Sequence, residues 1–381
     1  METGFSCASM TAPMPSAARP PKGRATIADV ARAAGVSKAT VSRFLNHRET
    51  LLTPETAARV EKTVAALDYV PSPMARSLKR GRSRLIGLVV ADIANPYSVA
   101  VLRGAERAAQ QAGYLVVLFN LGNESERERA AIEALAAYQV EGFILNTLGT
   151  DPGAAGEVAR HGKPAVLVDR KRAGMAADFV SLDNAGAMQR VVAHLLQGGW
   201  RRLLYVTEPA RGVSSRIERV AAFRSLSAAQ GNAVDARVAE LDDDGDALEQ
   251  TLRESRQRAG PHPFAVVAGN AVVTLRVCAA VARLGWQFGR DLGFVGFDET
   301  EWAPLVGPGL TTIEQPTDEI GRVATHCLLE RLQGRDLPVR QILLAARLVP
   351  RGSSRPATSP GVPSGLTAGK RPSEVETGFL E

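Results

Sequence analysis

Five polar or aromatic residues between positions 97 and 302 have the side chains needed to bind a small polyhydroxylated molecule. Carboxylate and amide groups pair with adjacent hydroxyls, an arginine forks onto a hydroxyl pair or a carboxylate, and an aromatic ring covers an apolar C–H face. The five residues are Tyr97, Arg219, Asn270, Asp298 and Trp302. For the two aromatic residues, ordinary packing at a cleft is an equally good interpretation.

The segments that position these residues alternate between apolar runs and helical stretches. Continuous apolar runs joined by helices are typical of a parallel sheet covered on both faces. Two series of such units predict two α/β lobes, with a ligand cleft between them at the carboxyl ends of the strands. The predicted strands are 85–91, 115–120, 142–147, 164–169, 202–207, about 237–241, 264–269 and 292–298. The predicted helices of this region are 97–112, 124–138, 184–197, 214–229, 245–257 and 271–284.

Asp169 and Arg170 end the fourth of these predicted strands. They could line the cleft, or they could form a structural ion pair near the contact between the lobes. The residue types alone leave both interpretations open.

Residues 26–70 have the pattern of three short helices. Thr26, Ser37 and Thr53 can each cap a helix start, and Gly35 can end the first helix in the left-handed conformation. Two helices joined by so tight a turn cross steeply and expose the polar N-terminal face of the second, as in a helix-turn-helix. The apolar residues expected to form the core of this unit are Ile27, Val30, Ala31, Ala34, Val41, Phe44, Leu45, Val60, Val64 and Leu67.

The segments flanking these two units differ from them in composition. A Pro-, Ala- and Ser-rich start predicts a flexible arm, and a Pro-, Gly-, Ser- and Thr-rich end predicts a disordered tail. Between the units, Ser72 and Pro73 can begin a short helix that runs to Lys79, and such a helix is too short to be stable alone in water. The predicted division is 1–24 for the arm, 25–70 for the helix-turn-helix domain, 71–84 for the hinge, 85–351 for the two-lobed domain and 352–381 for the tail.

Basic charge is concentrated around the helix-turn-helix. The chain has a formal net charge of +6, yet the segment from Lys22 to Arg84 alone contains thirteen Lys or Arg and five Asp or Glu. A basic segment of this kind suits contact with a phosphate backbone. Because the segment is not one amphipathic helix, an anionic membrane is the weaker interpretation.

Other signals argue against metals, cofactors, export and catalysis. The three cysteines and five histidines are isolated and have no spacing typical of a metal site or a disulfide framework. The sequence has neither an apolar run of membrane length nor a secretory signal. Walker loops, nucleophile elbows and dinucleotide fingerprints are missing as well. We therefore expect no metal, no cofactor and no catalytic residue, and a cytoplasmic, nucleoid-associated protein.

The stretch TIADVARAAGVSKATVSRFLN, followed by a Pro-Glu-Thr helix and by P-x-x-x-ARSL, closely resembles the DNA-binding head of LacI-family transcription regulators. The resemblance implies that Lys38, Ala39 and Arg43 face base edges, where Arg43 could fork onto guanine and Ala39 could pack on a thymine methyl. A phosphate contact is nearly as good an interpretation for Arg43. The resemblance also implies that Leu78 wedges into the minor groove. The residues expected to contact the DNA backbone are Thr26, Ser37, Thr40, Ser42, Arg76 and Lys79.

The resemblance extends over most of the chain, because LacI-type effector domains resemble periplasmic sugar-binding proteins. It implies a first lobe formed by 85–182 and the helix 317–333, and a second lobe formed by 183–316 and the last strands to 350. The stretch SSRIERVAAF resembles the family's Ser-x-x-R-x-R-L-x-G-F, and the match favours Arg219 and Asp298 as ligand residues.

Two departures from the family pattern bear on the ligand. Ala271 stands where an aspartate usually follows Asn270, and Ala222 stands where a glycine usually precedes the aromatic residue. A missing acidic group leaves Arg219 freer to meet an anion. The segment GFDETEWAPLVGPGLTTIEQPTDEIGR also resembles LacI-type regulators that sense sugar acids, such as ketogluconate regulators. We therefore predict an aldonic or keto-aldonic acid as the ligand.

These observations predict an all-α helix-turn-helix head and hinge helix joined to a two-lobed α/β domain of periplasmic-binding-protein type. The predicted function is a sequence-specific DNA-binding repressor whose operator affinity is controlled by a sugar or sugar acid, such as gluconate or ketogluconate. A homodimer is favoured over a tetramer because the tail lacks leucine heptads. A solute-binding protein for sugar transport and a sugar-active enzyme on the same fold are the alternatives, and the basic head argues against the first.

Overall fold

The computed structural model describes residues 25–46, 51–70, 82–124, 126–147, 153–172, 174–241 and 245–355. The chain forms two compact units that separate between Ser83 and Arg84. The predicted hinge residues Arg76, Leu78 and Lys79 lie outside the described residues, as do the predicted arm and residues 356–381. No helix in the described part of the chain is both long enough and apolar enough to cross a membrane.

The described residues of the first unit form three helices whose ends follow from their capping residues. The Thr26 side chain accepts a hydrogen bond from the backbone N–H of Asp29, and the Asp29 carboxylate accepts one from the Thr26 backbone at 3.0 Å, which completes a capping box. Ser37 Oγ accepts from the Thr40 N–H at 3.1 Å, and Gly35 has a φ of 62°. The helices are Ile27–Ala33 (α1), Lys38–Leu45 (α2) and Pro54–Ala66 (α3).

A small apolar core holds these helices together, and it differs from the predicted core at one position. Val30, Val41 and Val60 are fully buried at its centre. The prediction for Leu67 is wrong, since its side chain is 36% exposed. Helix α3 ends at Ala66 and the chain reverses through Asp68, which has a φ of 45°, so Leu67 leaves the inward face. Tyr69 packs against the core from the same end of α3.

The part of the second unit that the structure describes contains two six-stranded sheets, one in each lobe. The first has the order β11-β5-β4-β3-β1-β2 and is parallel throughout. Its strands are Leu85–Val90 (β1), Leu115–Asn120 (β2), Gly142–Asn146 (β3), Ala165–Val168 (β4), Asp178–Leu182 (β5) and Gln341–Leu344 (β11). The second sheet has the order β12-β10-β9-β8-β6-β7, with only β12 antiparallel to its neighbour. Its strands are Arg202–Thr207 (β6), Asp235–Glu240 (β7), Phe264–Ala268 (β8), Gly293–Phe297 (β9), Thr311–Glu314 (β10) and Arg347–Val349 (β12).

Helices cover both faces of each sheet, because the strand residues alternate between two apolar clusters. The helices of the first lobe are Pro96–Gln111 (α4), Arg127–Ala137 (α5), Gly153–Arg160 (α6) and Thr317–Leu332 (α11). Those of the second lobe are Asn184–Gln197 (α7), Ser214–Ala228 (α8), Gly245–Ala259 (α9) and Ala271–Arg283 (α10). Helices α4 and α11 approach most closely at Gly104 and Gly321, where an added Cβ would lie 2.0 and 2.1 Å from backbone oxygens of the facing helix.

Two boundary predictions are wrong. The last strands were expected in the second lobe, but β11 pairs with β5 in the first-lobe sheet, and the chain crosses to β12 at Ala345–Ala346. The predicted disordered tail begins too early, because Gly352–Ser354 form a short 3-10 turn in which Ser353 and Ser354 are buried. Ser353 Oγ donates to the carbonyl of Phe294 at 2.9 Å and accepts from the backbone N–H of Thr311 at 2.7 Å. Ser353 satisfies backbone groups of the sheet, whereas Ser354 Oγ bonds to the side chains of His194 and Thr311, and composition does not reveal these roles.

Candidate DNA-contacting helix and ligand cavity

Helix α2 presents the residues that the sequence assigns to DNA. Lys38, Ala39 and Arg43 are exposed, whereas Val41 on the opposite side is fully buried. The helical period places Ala39 and Arg43, four residues apart, on the face away from the core, and Lys38 is exposed at the first residue of the helix. The helix therefore offers two cations and a methyl group on one solvent-facing surface.

Among the residues predicted to contact the DNA backbone, Thr26, Ser37 and Thr40 lie at the starts of α1 and α2. Thr26 and Ser37 are exposed capping residues, and Ser37 Oγ is 2.9 Å from Thr40 Oγ1. Ser42 is half-buried, and its carbonyl accepts a hydrogen bond from Asn46 Nδ2 at 2.6 Å. Helix starts with exposed hydroxyls are suited to phosphate oxygens.

Most of the predicted ligand residues line one cavity between the two lobes. This inner cavity has a volume of about 30 Å³. It adjoins an outer cleft of about 640 Å³, and Asn95, Arg170 and Arg216 line both. The outer cleft has the size of a typical small-molecule pocket, whereas the inner cavity is smaller. The lining of the inner cavity consists of Asn95, Tyr97, Asn146, Asp169, Arg170, Thr207, Ser215, Arg216, Arg219, Gly269, Asn270, Asp298 and Gln315.

Arg219 on helix α8 is held rigidly by neutral partners. Its Nε donates to Asn184 Oδ1 at 2.7 Å and its Nη1 donates to the carbonyl of Gly269 at 2.7 Å. Its Nη2 donates to Gln315 Oε1 at 3.3 Å, and its guanidinium carbon lies 4.4 Å from the ring centroid of Phe297. Only 6% of the residue is exposed. Helix packing and these bonds fix the charge in place beside the cavity.

Asp298 follows strand β9 and carries the buried carboxylate of the second lobe. Its Oδ2 accepts from the backbone N–H of Ala271 at 2.9 Å, and its Oδ1 accepts from Gln315 Nε2 at 2.5 Å. Burial raises the pKa of Asp298, although the nearby charge of Arg219 acts in the opposite direction. The residue has a φ of 74°, a conformation that a side chain other than glycine rarely adopts.

Asp169 occupies the corresponding place in the first lobe, directly after strand β4 and with a φ of 65°. Its Oδ2 accepts a hydrogen bond from Ser215 Oγ of the second lobe at 3.1 Å. A second hydrogen bond joins the same loop to helix α8, since the backbone N–H of Lys171 donates to Ser214 Oγ at 2.8 Å. Lys171 Nζ also lies 3.2 Å from Glu218 Oε1. The loop after β4 thus binds the first turns of α8 across the cleft.

Tyr97 lies in the first turn of helix α4, which Asn95 caps by accepting from the Tyr97 N–H at 3.1 Å. The residue is 7% exposed, and its hydroxyl finds no hydrogen-bond partner among the residues that the structure describes. Burial, together with the charge of Asp169, raises the pKa of Tyr97 well above its ordinary value. A buried hydroxyl of this kind normally has a partner, so its position on the cavity wall suits a ligand atom.

Of the remaining two predicted ligand residues, Asn270 lines the inner cavity and Trp302 does not. Asn270 lies on the cavity wall and caps helix α10, because its Oδ1 accepts from the Val273 N–H at 2.8 Å. Its Nδ2 donates to Glu208 Oε2 at 2.6 Å, so both ends of the Asn270 amide have a protein partner. Trp302 lines neither cavity and packs against the apolar cluster of the second lobe. Its assignment as a ligand residue is therefore not supported, and the packing interpretation describes its position.

Several residues of the inner cavity or the outer cleft were not predicted from the sequence. Glu208 directly follows strand β6, and Gln315 directly follows strand β10. Arg216 lies one helical turn before Arg219 on α8. A polar residue immediately after an apolar run was an available signal for Glu208 and Gln315. The signal for Arg216 was its i, i+3 spacing from Arg219.

Comparison with known proteins assigns both units to one family. Residues 26–72 match the family model of bacterial regulatory proteins of the lacI family, and residues 192–354 match the periplasmic binding protein-like domain. The HTH-type transcriptional regulator PtxS of Pseudomonas aeruginosa is 46% identical over 337 residues, which cover 88% of this chain and 98% of that protein. The HTH-type transcriptional regulator KdgR of Bacillus subtilis is 37% identical over 332 residues, which cover 87% and 98% of the two chains.

Solved structures agree with this assignment. The lac repressor dimer bound to operator and the anti-inducer ONPF aligns with a TM-score of 0.74 at 27% identity, covering 87% of this chain and 99% of that one. The cellobiose complex of the transcriptional regulator CelR aligns with a TM-score of 0.63 at 26% identity, covering 87% and 100%. The predicted family and fold class are confirmed. The chain belongs to the LacI family of bacterial regulatory proteins and is a DNA-binding transcriptional regulator, not an enzyme.

Proposed function

We propose that this regulator is a repressor that binds an operator through helix α2 and whose operator affinity changes when a small sugar or sugar acid binds between the lobes. The observation that carries the proposal is the exposed surface formed by Lys38, Ala39 and Arg43 at the start of α2. A helix with this surface, capped by a tight turn, matches the dimensions of the major groove.

Arg43 is the residue we assign to base recognition, because a guanidinium can fork onto guanine O6 and N7. Lys38 and Ala39 read neighbouring base edges from the preceding turn. Thr26, Ser37, Thr40 and Ser42 hold the helix in register through phosphate contacts. Leu78 enters the minor groove, and Arg76 and Lys79 neutralise the adjacent phosphates.

The regulator acts as a homodimer, because a two-fold operator needs two heads in fixed register. The matching structure of the lac repressor is described as a dimer bound to operator. In this chain, strand β2 forms one edge of the first-lobe sheet, and its Leu115 is 62% exposed. An exposed apolar edge strand suits cover by a second copy. A protein with this task works where the DNA is, in the cytoplasm and at the nucleoid.

The effector binds in the outer cleft and reaches the inner cavity that contains Tyr97, Arg219, Asn270 and Asp298. The carboxylate of Asp298 accepts from sugar hydroxyls, and Arg219 presents its remaining N–H groups to ring or chain oxygens. Gluconate and ketogluconate are the proposed effectors. Because loop 169–171 binds helix α8 across the cleft, a ligand there changes the relation between the lobes.

Selection of bound sequences from random duplex DNA by the full chain tests the proposal. A near-palindromic consensus is expected, and fluorescence anisotropy on that consensus should show salt-dependent affinity above that for scrambled DNA. Binding of all duplexes with the same affinity, whatever their sequence, would contradict the proposal. Titration of the complex with gluconate, ketogluconate and neutral sugars then tests the control by an effector.

A further inference from the structure

The first-lobe wall of the inner cavity contains two buried donors without partners. Tyr97 Oη and Arg170 Nε have no hydrogen-bond partner among the described residues, and both side chains line the cavity. Arg170 Nε forms an ion pair with Asp169 Oδ2 at 3.4 Å, a distance longer than a normal N–H···O hydrogen bond. Buried donors without partners are costly unless a ligand satisfies them. The wall therefore presents two hydrogen-bond donors that need an acceptor.

A second guanidinium reaches the same cavity from the opposite lobe. Arg216 on α8 lines the inner cavity and the outer cleft together with Arg170. Its Nη2 lies 2.5 Å from Glu208 Oε2, and its Nη1 donates to the carbonyl of Pro209 at 3.0 Å. Burial lowers the pKa of Arg216, and the charges of Glu208 and Asp169 act in the opposite direction. The charge of Arg170 lowers this pKa further, so the two cations act on each other across the cleft. An anion between them would be attracted by both cations.

Asp169 Oδ2 lies 3.4 Å from Arg170 Nε, but each neighbouring carboxylate also has other donors of the protein. Asp169 already accepts from Ser215, and Glu208 accepts from Arg216 and from Asn270. Asp298 accepts from Ala271 and from Gln315. Each of these groups is held by the protein and faces donors of its own.

Arg219 is less suited to the anion than the sequence suggested. Three of its N–H groups are bonded to Asn184, Gly269 and Gln315, and its face is covered by Phe297. A carboxylate of a ligand would have to displace one of these bonds to form a fork. The side of the cavity with Arg219 and Asp298 is better suited to hydroxyl groups, which both donate and accept.

We propose that Tyr97 and Arg170 of the first lobe and Arg216 of the second lobe bind the carboxylate of a sugar acid, while Asp298 and Gln315 bind its hydroxyl groups. A carboxylate has two acceptor oxygens and no hydrogen, so it satisfies both unpartnered donors and bridges the cations of the two lobes. A neutral sugar has no such group at that end. The inference rests on the proposed function, because it assigns the effector of that same cavity.

Binding by the full-length protein should be measured with two pairs of probes that differ only at C1. 2-Keto-D-gluconate has a carboxylate where D-fructose has a hydroxymethyl group, and D-gluconate has one where D-glucitol has a hydroxymethyl group. The proposal expects the acid of at least one pair to bind about 10- to 100-fold more tightly than its neutral partner, the range typical of a hydrogen bond to a charged group. Equal binding within both pairs, or no binding of either acid, would overturn it.

Variants of the three proposed residues test whether these residues cause the preference for the acid over its neutral partner. Arg170→Gln, Arg216→Gln and Tyr97→Phe should each weaken binding of the acid by about tenfold or more while leaving the weak binding of the neutral partner unchanged. Arg224→Gln is the matched control, since Arg224 is exposed on the same helix as Arg216 and lines neither cavity. Circular dichroism establishes that each variant is folded, and Tyr97→Phe removes one oxygen only. Equal losses for acid and neutral probes would overturn the assignment.

Sequence-selective DNA binding should be measured on the same samples. A chain that selects an operator but responds equally to acid and neutral probes would contradict the carboxylate assignment and leave the regulatory function intact. A chain that prefers the acids but selects no DNA sequence would support the carboxylate assignment and contradict the proposed function.

Discussion

Arg219 and Asp298 face the same cavity and are joined through one amide. Gln315 accepts from Arg219 Nη2 at 3.3 Å and donates to Asp298 Oδ1 at 2.5 Å. The cation and the carboxylate therefore stay close without forming a direct ion pair. This arrangement keeps part of each polar group available to a ligand.

Replacing Gln315 should disturb both partners. In Gln315→Ala, Arg219 and Asp298 each lose a buried hydrogen bond, and we expect the free energy of unfolding to fall by about 1–3 kcal/mol. Urea denaturation measures this change, and effector affinity should fall in the same variant. Gln257→Ala is a suitable control because Gln257 is exposed on α9. A loss no greater than that of the control would contradict the linking role.

Replacing Arg43 should separate base recognition from phosphate contact. Arg43→Ala removes a guanidinium that we assign to guanine, so operator affinity should fall by about 1–3 kcal/mol and discrimination at one base pair should disappear. Anisotropy on the operator and on single-base-pair substitutions measures both effects. Arg59→Ala, on the exposed side of α3, should leave the sequence preference intact. A uniform loss across all DNA sequences would assign Arg43 to phosphate instead.

The glycine contact between α4 and α11 should tolerate no side chain. A Cβ at Gly321 would lie 2.1 Å from the carbonyl oxygen of Val101, and we expect Gly321→Ala to cost about 1–3 kcal/mol of unfolding free energy. Gly156→Ala on α6 is the control, because a Cβ there meets nothing within 4 Å and alanine favours the helix by about 0.5–1 kcal/mol. Thermal or urea unfolding distinguishes the two. Equal stability of the variants would contradict the contact.

Asp178 should contribute a stability that depends on pH. Burial alone would raise its pKa, but hydrogen bonds from Arg331 and Arg340 outweigh it and lower the pKa to about 2. Because the folded pKa lies below the unfolded value of 3.8, the contribution is present above the unfolded pKa and is lost as the pH falls toward the folded one. The contribution should decrease from about 2 kcal/mol at pH 5 to about 1 kcal/mol at pH 3.

Urea denaturation of the wild type and of Asp178→Asn at these two pH values tests this prediction. The difference in unfolding free energy should shrink as the pH falls. The Asp178 carboxylate oxygens lie 2.9 Å from Arg331 Nη2 and from Arg340 Nη2. A difference in unfolding free energy that stays constant would show that these ion pairs do not set the pH dependence.

Local signals in the sequence predicted the parts of the structure that depend on neighbouring residues. The capping box of Thr26, the cap of Ser37 and the turn at Gly35 are encoded within a few residues, so residue type alone indicates them. Strand β6 was predicted at its observed bounds because its apolar run is uninterrupted. The family pattern at 214–223 likewise led to Arg219.

Contacts between distant segments could not be predicted in this way. Strand β11 joins the first-lobe sheet only because it pairs with β5, more than a hundred and fifty residues earlier in the chain. Arg216 and Arg170 meet at one cavity because two lobes face each other, and no spacing in the sequence encodes that. Trp302 follows a strand as the ligand residues do, yet it packs into its own lobe.

The central claim is that a ligand in the cavity between the lobes controls operator binding, and one titration tests it most directly. Full-length protein bound to its selected operator should be titrated with 2-keto-D-gluconate and, separately, with D-fructose while anisotropy is recorded. The acid should change the operator dissociation constant by about 5- to 150-fold, the usual range of coupling between two sites, and fructose should not. An operator affinity that neither compound changes, in a protein that binds the acid, would contradict the claim.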